Sequence, residues 1–311
     1  MSDAVITVKD LRKAYKNNAV LKGVSFQIRK GEIFSLLGSN GAGKTTTIKI
    51  LSTLLLPDSG NISILDFDVV KNAGKVREQI SLTGQYAAVD ENLTGRENLR
   101  MIASLRHLPN VKKKADELLT RFNLMDAADR RVSAYSGGMR RRLDLAMSLM
   151  GNPPVIFLDE PTTGLDPQSR LSMWKIIKSL SKSGTTILLT TQYLEEAEQL
   201  ADYIAILNEG VIAAEGTVSK LKELLPTGVI EFAFHNEADL REAGELLKDY
   251  NARSNEELQT LSVTTNHGIE QLSDILMLLK SRNIPTSRFG QKEPTLEEVF
   301  LTLVGESKGD D

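Results

Sequence analysis

Residues Gly38, Ser39, Asn40, Gly41, Ala42, Gly43, Lys44 and Thr45 fit the spacing G-x-x-x-x-G-K-[ST]. Residues of these types, so spaced, bind phosphate. Gly38, Gly41 and Gly43 allow turns that a Cβ would block, so several backbone N–H groups can point at phosphate oxygens. The first free N–H groups of a following helix would add partial positive charge at the same place. Lys44 supplies a full cation for the β- and γ-phosphates, and the Thr45 hydroxyl is a hard oxygen ligand suited to Mg²⁺. The expected ATP contacts are the loop Gly38 to Thr45 and its neighbour Thr46.

Two further stretches could take part in the same chemistry. In Val155-Ile156-Phe157-Leu158-Asp159-Glu160 an apolar run ends in two carboxylates. On a buried parallel strand, Asp159 would reach the carboxyl edge of the sheet and hold Mg²⁺ directly or through water, and Glu160 would polarise an attacking water. In Tyr135-Ser136-Gly137-Gly138-Met139-Arg140, Ser136 is a good helix N-cap, and Gly137 and Gly138 allow an anion to approach the helix start. One phosphate loop has little use for a second phosphate-binding end, unless two copies each share a nucleotide between one loop and the other's Ser136.

The surrounding pattern supplies elements able to carry these residues. Ala4 to Val8, Val24 to Ile28 and Ile33 to Leu37 read as strands leading into the loop, and Thr45 to Leu54 as a helix behind it. Strand candidates at Asn61 to Leu65 and Ile80 to Thr83 precede helices near Gly95 to Arg106, Val111 to Phe122 and Ser136 to Met150. Apolar strands at Val155 to Leu158 and Thr185 to Thr190 flank a helix from Pro167 to Ser181, and Tyr203 to Leu207 with Val211 to Ala214 reads as a hairpin. Strands alternating with helices imply a mostly parallel sheet covered on both faces, an α/β fold. After a helix near Val218 to Leu225, Pro226-Thr227-Gly228 marks a boundary, and the strand and helix pattern then restarts to give a small α+β domain.

At Ser136-Gly137-Gly138 the sequence resembles the nucleotide-binding subunits of ATP-binding cassette (ABC) transporters, whose signature reads leucine-serine-glycine-glycine-glutamine. Tyr135 and Met139 depart from it at the two ends. The resemblance implies further roles: Tyr15 as the aromatic that stacks on adenine, Gln85 as a residue reaching Mg²⁺ and reporting to a membrane partner, and Asp166 in a loop crossing a dimer interface. Where the family usually presents a histidine to the γ-phosphate, this chain has Thr191-Gln192-Tyr193. Gln192 can donate a hydrogen bond but cannot carry a proton. Gln192, the Ser-Gly-Gly-Met-Arg-Arg-Arg run and Pro294-Thr295-Leu296-Glu297-Glu298-Val299-Phe300 resemble the daunorubicin-resistance type of drug-exporter ATPase.

The resemblance implies a P-loop ABC cassette over residues 1–225, with a mostly parallel core sheet, an antiparallel β subdomain and a helical subdomain at about 90–150. A C-terminal accessory domain over 226–304 and a disordered tail over 305–311 would follow. It implies a homodimer around two Mg²⁺-ATP, with Lys44, Glu160 and Gln192 catalytic and Thr45, Gln85 and Asp159 on the metal. A separate membrane permease would hold it at the cytoplasmic face.

Composition bounds this reading. The chain has 311 residues, 41% hydrophobic and 25% charged, and a net charge of −3 gives no electrostatic footprint for nucleic acid. Zero cysteines exclude disulfides and thiolate metal sites, and His107, His235 and His267 have no ligand-like spacing. The N-terminus lacks a signal-peptide pattern, and the nearly uncharged run Leu145 to Leu158 carries Gly151, Pro153 and Pro154, so it cannot span a bilayer as a helix. Arg140-Arg141-Arg142 reads as a solvated helix face and Trp174 as core. Two alternatives stay open: a soluble ABC ATPase acting on DNA or the ribosome, and a small-molecule kinase, in which Ser136-Gly137-Gly138 would have no purpose.

Overall fold

The computed structural model describes residues 4–225, 229–250, 252–264, 268–292 and 294–305. The boundary expected at Pro226-Thr227-Gly228, His267 and the tail beyond Gly305 lie outside the described residues. The chain divides into two compact units, Met1–Val218 and Ser219–Asp311.

The first unit opens with a long hairpin, β1 (Ala4–Tyr15) and β2 (Asn18–Arg29), joined by the tight turn at Lys16 and Asn17. Both strands run well past their apolar ends: beyond a register shift between Val8 and Leu11, the polar Arg12 and Lys13 still pair with Lys22 and Leu21. β3 (Ile33–Leu37) and α1 (Lys44–Leu51) follow, then β4 (Ser59–Ile64) and β5 (Phe67–Asp68). These complete an antiparallel sheet in the order β2-β1-β4-β5.

A short helix, α2 (Ala73–Gln79), leads to β6 (Ile80–Thr83). Periodicity gave no sign of α2, since Val76 is its one buried residue. The helical block consists of α3 (Gly95–Leu105), α4 (Val111–Arg121) and α5 (Gly137–Ser148). α3 starts on a capping box: Thr94 Oγ1 accepts from the Glu97 N–H (3.2 Å) and Glu97 Oε2 from the Thr94 N–H (2.8 Å).

β7 (Val155–Asp159), α6 (Pro167–Lys182), β8 (Thr186–Thr191), α7 (Leu194–Leu200), β9 (Tyr203–Asn208) and β10 (Val211–Gly216) close the unit. The main sheet has the order β10-β9-β3-β8-β7-β6, with only the terminal β10 antiparallel to its neighbour. Its central strands are buried on both faces. Ile156, Leu158, Ile187 and Leu189 join the helical core, while Phe34, Leu36, Phe157 and Leu188 join the core under the antiparallel sheet.

The short helix α8 (Val218–Lys222) precedes β11 (Val229–Ala233), α9 (Glu237–Leu246), β12 (Arg253–Asn255), β13 (Thr260–Thr264), α10 (Gly268–Ser281), β14 (Arg288–Lys292) and α11 (Leu296–Gly305). From β11 to β14 this is a βαββαβ unit with antiparallel order β12-β13-β11-β14, the ferredoxin-like arrangement. Its core includes Ile230, Phe232, Leu240, Leu261, Val263 and Ile275. β12 escaped the pattern because Arg-Ser-Asn carries no alternation. Among the described residues no helix is long and apolar enough to cross a membrane.

Candidate functional site

β3, β8, β7 and β6 run parallel, so their carboxyl ends share one edge of the sheet. The phosphate loop leaves β3 there, Gln192 follows β8, Asp159 ends β7 with Glu160 next to it, and Gln85 follows β6. The loop is tied to its neighbour by the Gly38 N–H, which donates to Thr191 O (3.2 Å). Gly43 caps α1 at φ 111, and a Cβ on it would meet Leu21 Cδ2 at 2.6 Å.

Lys44 is 4% exposed and donates from Nζ to the carbonyls of Gly38 (2.8 Å) and Ser39 (3.0 Å). Its Nζ lies 3.7 Å from Glu160 Oε1. Burial pulls its ammonium below the usual lysine range, and the carboxylates of Glu160 and Asp159 counter that shift. Thr45 Oγ1 donates to Asp159 Oδ1 at the long distance of 3.3 Å, while Thr190 Oγ1 donates to the same oxygen at 2.6 Å. Ser39, Asn40, Gly41 and Thr45 are exposed, whereas Ala42 is buried and Thr46 half-buried.

A hydroxyl beside a single carboxylate fits a hard cation that takes its remaining ligands from phosphate and water. Among the described residues there is no cluster of three or more acidic, histidine or cysteine side chains that would hold a metal alone. Glu160 has φ 49, in the left-handed region that a non-glycine residue seldom adopts. Its N–H donates to both the carbonyl and the Oγ1 of Thr190 (3.1 Å each), and Thr163 Oγ1 donates to its Oε2 (3.2 Å). A carboxylate thus fixed beside a buried cation and the loop can orient a water for attack on a terminal phosphate.

Ser136 caps α5, its hydroxyl accepting from the Met139 N–H (3.3 Å). The unusual Tyr135 is buried, and its OH donates to Ala127 O (2.7 Å) in space left by Gly95. Met139 packs onto the helical core, so both departures from the signature turn inward. A Cβ on Gly138 would collide with Ser169, whose Cβ would be 2.9 Å away, whereas one on Gly137 would meet open space. Asp166 is the N-cap of α6, accepting from the Ser169 N–H (2.9 Å) and Oγ (2.6 Å). Those bonds hold its carboxyl below the usual range.

Tyr15 ends β1, half exposed, opposite Asn18, and the same strand β2 carries Val20 and Leu21 against Gly43. Gln85 is exposed and Gln192 half-buried. Trp174 is buried, and its Nε1 donates to Glu196 Oε1 (3.2 Å). The expected solvated face at Arg140-Arg141-Arg142 is corrected at Arg141, which is buried and spends its donors on backbone carbonyls of the sheet edge. Sequence reasoning also passed over Asp144, Thr190 and Glu196. A lone carboxylate in Leu143-Asp144-Leu145-Ala146-Met147, one turn after Arg141, was the signal for the first.

A profile of the family described as "ABC transporter" matches residues 21–163. The daunorubicin resistance ATP-binding protein DrrA3 of Streptomyces coeruleorubidus is 44% identical over 310 residues, covering 99% of this chain and 98% of the relative. A solved ATP-binding subunit of an ABC transporter is 31% identical with a TM-score of 0.64, over 71% of this chain and 92% of its own. An ATP-binding cassette solved as a dimer in a post-hydrolysis state, bound to ADP and Pi, is 26% identical with a TM-score of 0.63. It covers 68% of this chain and 98% of its own.

Proposed function

The chain belongs to the ABC transporter ATP-binding subunits, ATP-hydrolysing proteins, and from that premise we propose how it works: two copies close around two Mg²⁺-ATP and reopen after hydrolysis, driving a separate membrane permease. The observation that carries the proposal is the convergence of Lys44, Thr45, Asp159 and Glu160 at one sheet edge. In this reading Lys44 and the loop N–H groups of Gly38 to Thr46 stabilise the β- and γ-phosphates, and Tyr15 stacks on the base. Mg²⁺, when bound, neutralises phosphate charge, and Thr45, Asp159 and Gln85 would hold it. Glu160 orients the attacking water, with Gln192 donating a hydrogen bond to the γ-phosphate.

Ser136 and Gly137 complete the site of the opposite copy. Support comes from the open space over Gly137, which the chain's own packing leaves unexplained, and from the dimeric form of a similar cassette. Asp166, in the cap of α6, would lie along the same interface. The DrrA3 likeness supports export of a drug or another hydrophobic compound as the work done, with the subunit held at the cytoplasmic face of the membrane by its permease.

Glu160→Gln tests the proposal. The variant should bind ATP, lose at least about 100-fold in turnover, and elute as a dimer with ATP but as a monomer without it. Near-normal turnover would remove Glu160 from this role, and a monomer in ATP with the permease present would remove the shared site.

A further inference from the structure

We propose that Arg141 is a positioning residue for hydrolysis: its guanidinium bridges the loop that carries Gln85 to the backbone of Glu160, and so sets where the Glu160 carboxylate points. This rests on Glu160 being the group that orients water.

Arg141 lies one turn into α5, 6% exposed. Its Nε donates to Pro161 O (2.8 Å), Nη2 to Asp159 O and Glu160 O (3.2 Å each), and Nη1 to Gly84 O (2.5 Å). Nη1 also faces Asp144 Oδ2 at 3.4 Å, and the other oxygen of Asp144 accepts from the Ala88 N–H (3.1 Å). One planar cation and its carboxylate therefore hold both ends of the segment Gly84 to Ala88, with Gln85 between them.

The same cation holds three successive carbonyls at the end of β7. The N–H of Glu160 is already committed to Thr190. With the carbonyls of Asp159, Glu160 and Pro161 committed to Arg141, the peptide groups on both sides of Glu160 are pinned. That is what a left-handed φ at a non-glycine residue requires, since the conformation is unfavourable unless its surroundings over-determine it. Burial draws the guanidinium below its ordinary range, and among the neighbouring carboxylates Asp144 opposes that shift most strongly.

A planar fork is suited to this bridge because its N–H groups diverge at fixed angles. A lysine ammonium at the same place could keep the charge opposite Asp144 but could not reach Gly84 O, Glu160 O and Pro161 O together. A shift of the Gln85 loop relative to the sheet edge must then either move Glu160 with it or break the Gly84 bond.

The test measures kcat, KM, ATP affinity and melting temperature on the full chain for Arg141→Lys, Asp144→Asn and the doubly apolar Arg141→Met/Asp144→Leu, beside Glu160→Gln. Arg141→Lys should lower kcat about tenfold or more, because small misplacements of a catalytic group are costly, while ATP affinity stays within about threefold. Asp144→Asn should lose less, since the carbonyl bonds of Arg141 and the Ala88 contact survive, and the double variant should lose at least as much as Arg141→Lys.

A folded Arg141→Lys with native kcat overturns the proposal. So does a parallel loss of kcat and ATP affinity, or failure of both Arg141→Lys and the double variant to fold, which would make Arg141 purely structural. If Glu160→Gln keeps its turnover, it is the underlying reading of Glu160 that fails.

Discussion

Lys44 Nζ and Glu160 Oε1 stand 3.7 Å apart with side chains 4% and 10% exposed, so a buried cation and a buried carboxylate share one small volume. Lys44 divides its donors between the loop's own carbonyls and this carboxylate. In the proposed site, phosphate would compete with both.

Removing one partner should therefore move ATP affinity in opposite directions. Lys44→Met should weaken ATP binding by roughly 10- to 100-fold, the worth of one charge-assisted contact. Glu160→Gln should bind ATP at least as tightly as the native chain, because the lysine is no longer held by a full charge. Equilibrium titration with a fluorescent ATP analogue checks both; equal weakening in the two variants would show that the pair acts only to hold the loop together.

The two signature glycines should fail differently. Gly138→Ala pushes a methyl into Ser169 and should cost about 1–3 kcal/mol of stability, seen as a lower denaturant midpoint. Ser169→Gly in the same chain should recover part of that loss. Gly137→Ala adds its methyl to open space at the start of α5, so stability should stay the same or rise by up to about 1 kcal/mol. Its defect should appear in ATP-driven dimer formation, measured by light scattering in the Glu160→Gln background.

Glu196 should make the first unit less stable as pH rises. It is fully buried, and burial raises its carboxyl above the usual range, against the smaller opposing effects of Thr191, Thr162 and Trp174 and the charge of Arg170 on α6. An acid with a raised folded-state pKa binds more protons folded than unfolded. Its contribution to stability therefore falls as pH climbs from about 4.3, the ordinary glutamate value, through the folded-state value. Glu196→Gln keeps an oxygen for the Thr162 and Trp174 donors (2.7 and 3.2 Å to Oε1) and removes the titration. Melting curves from pH 5 to 8 should show the variant gaining on the native chain as pH increases; a constant difference would refute the assignment.

The phosphate loop, the acidic end of β7 and the capped start of α5 were legible because each is local. Residue types a few positions apart impose the turn, the strand end or the N-cap wherever the segment lies. The two-sided burial of β3, β7 and β8 was likewise written in short, mostly apolar runs, broken only by Ser35 in β3, Asp159 at the end of β7 and threonines at the ends of β8. α2, α7 and β12 were not legible, being short elements with few apolar positions to set a period.

Chain order alone could not give the strand order β3-β8-β7-β6, which sets Gln192 between the phosphate loop and Glu160. Nor could it show that Arg141, in a run of three arginines that reads as solvated, is buried against four carbonyls from two distant segments. The left-handed turn at Glu160 belongs to the same class. A side chain's own chemistry tells what it can bond to, but which buried carbonyls lack a donor is known only once the strands and loops that carry them have packed together.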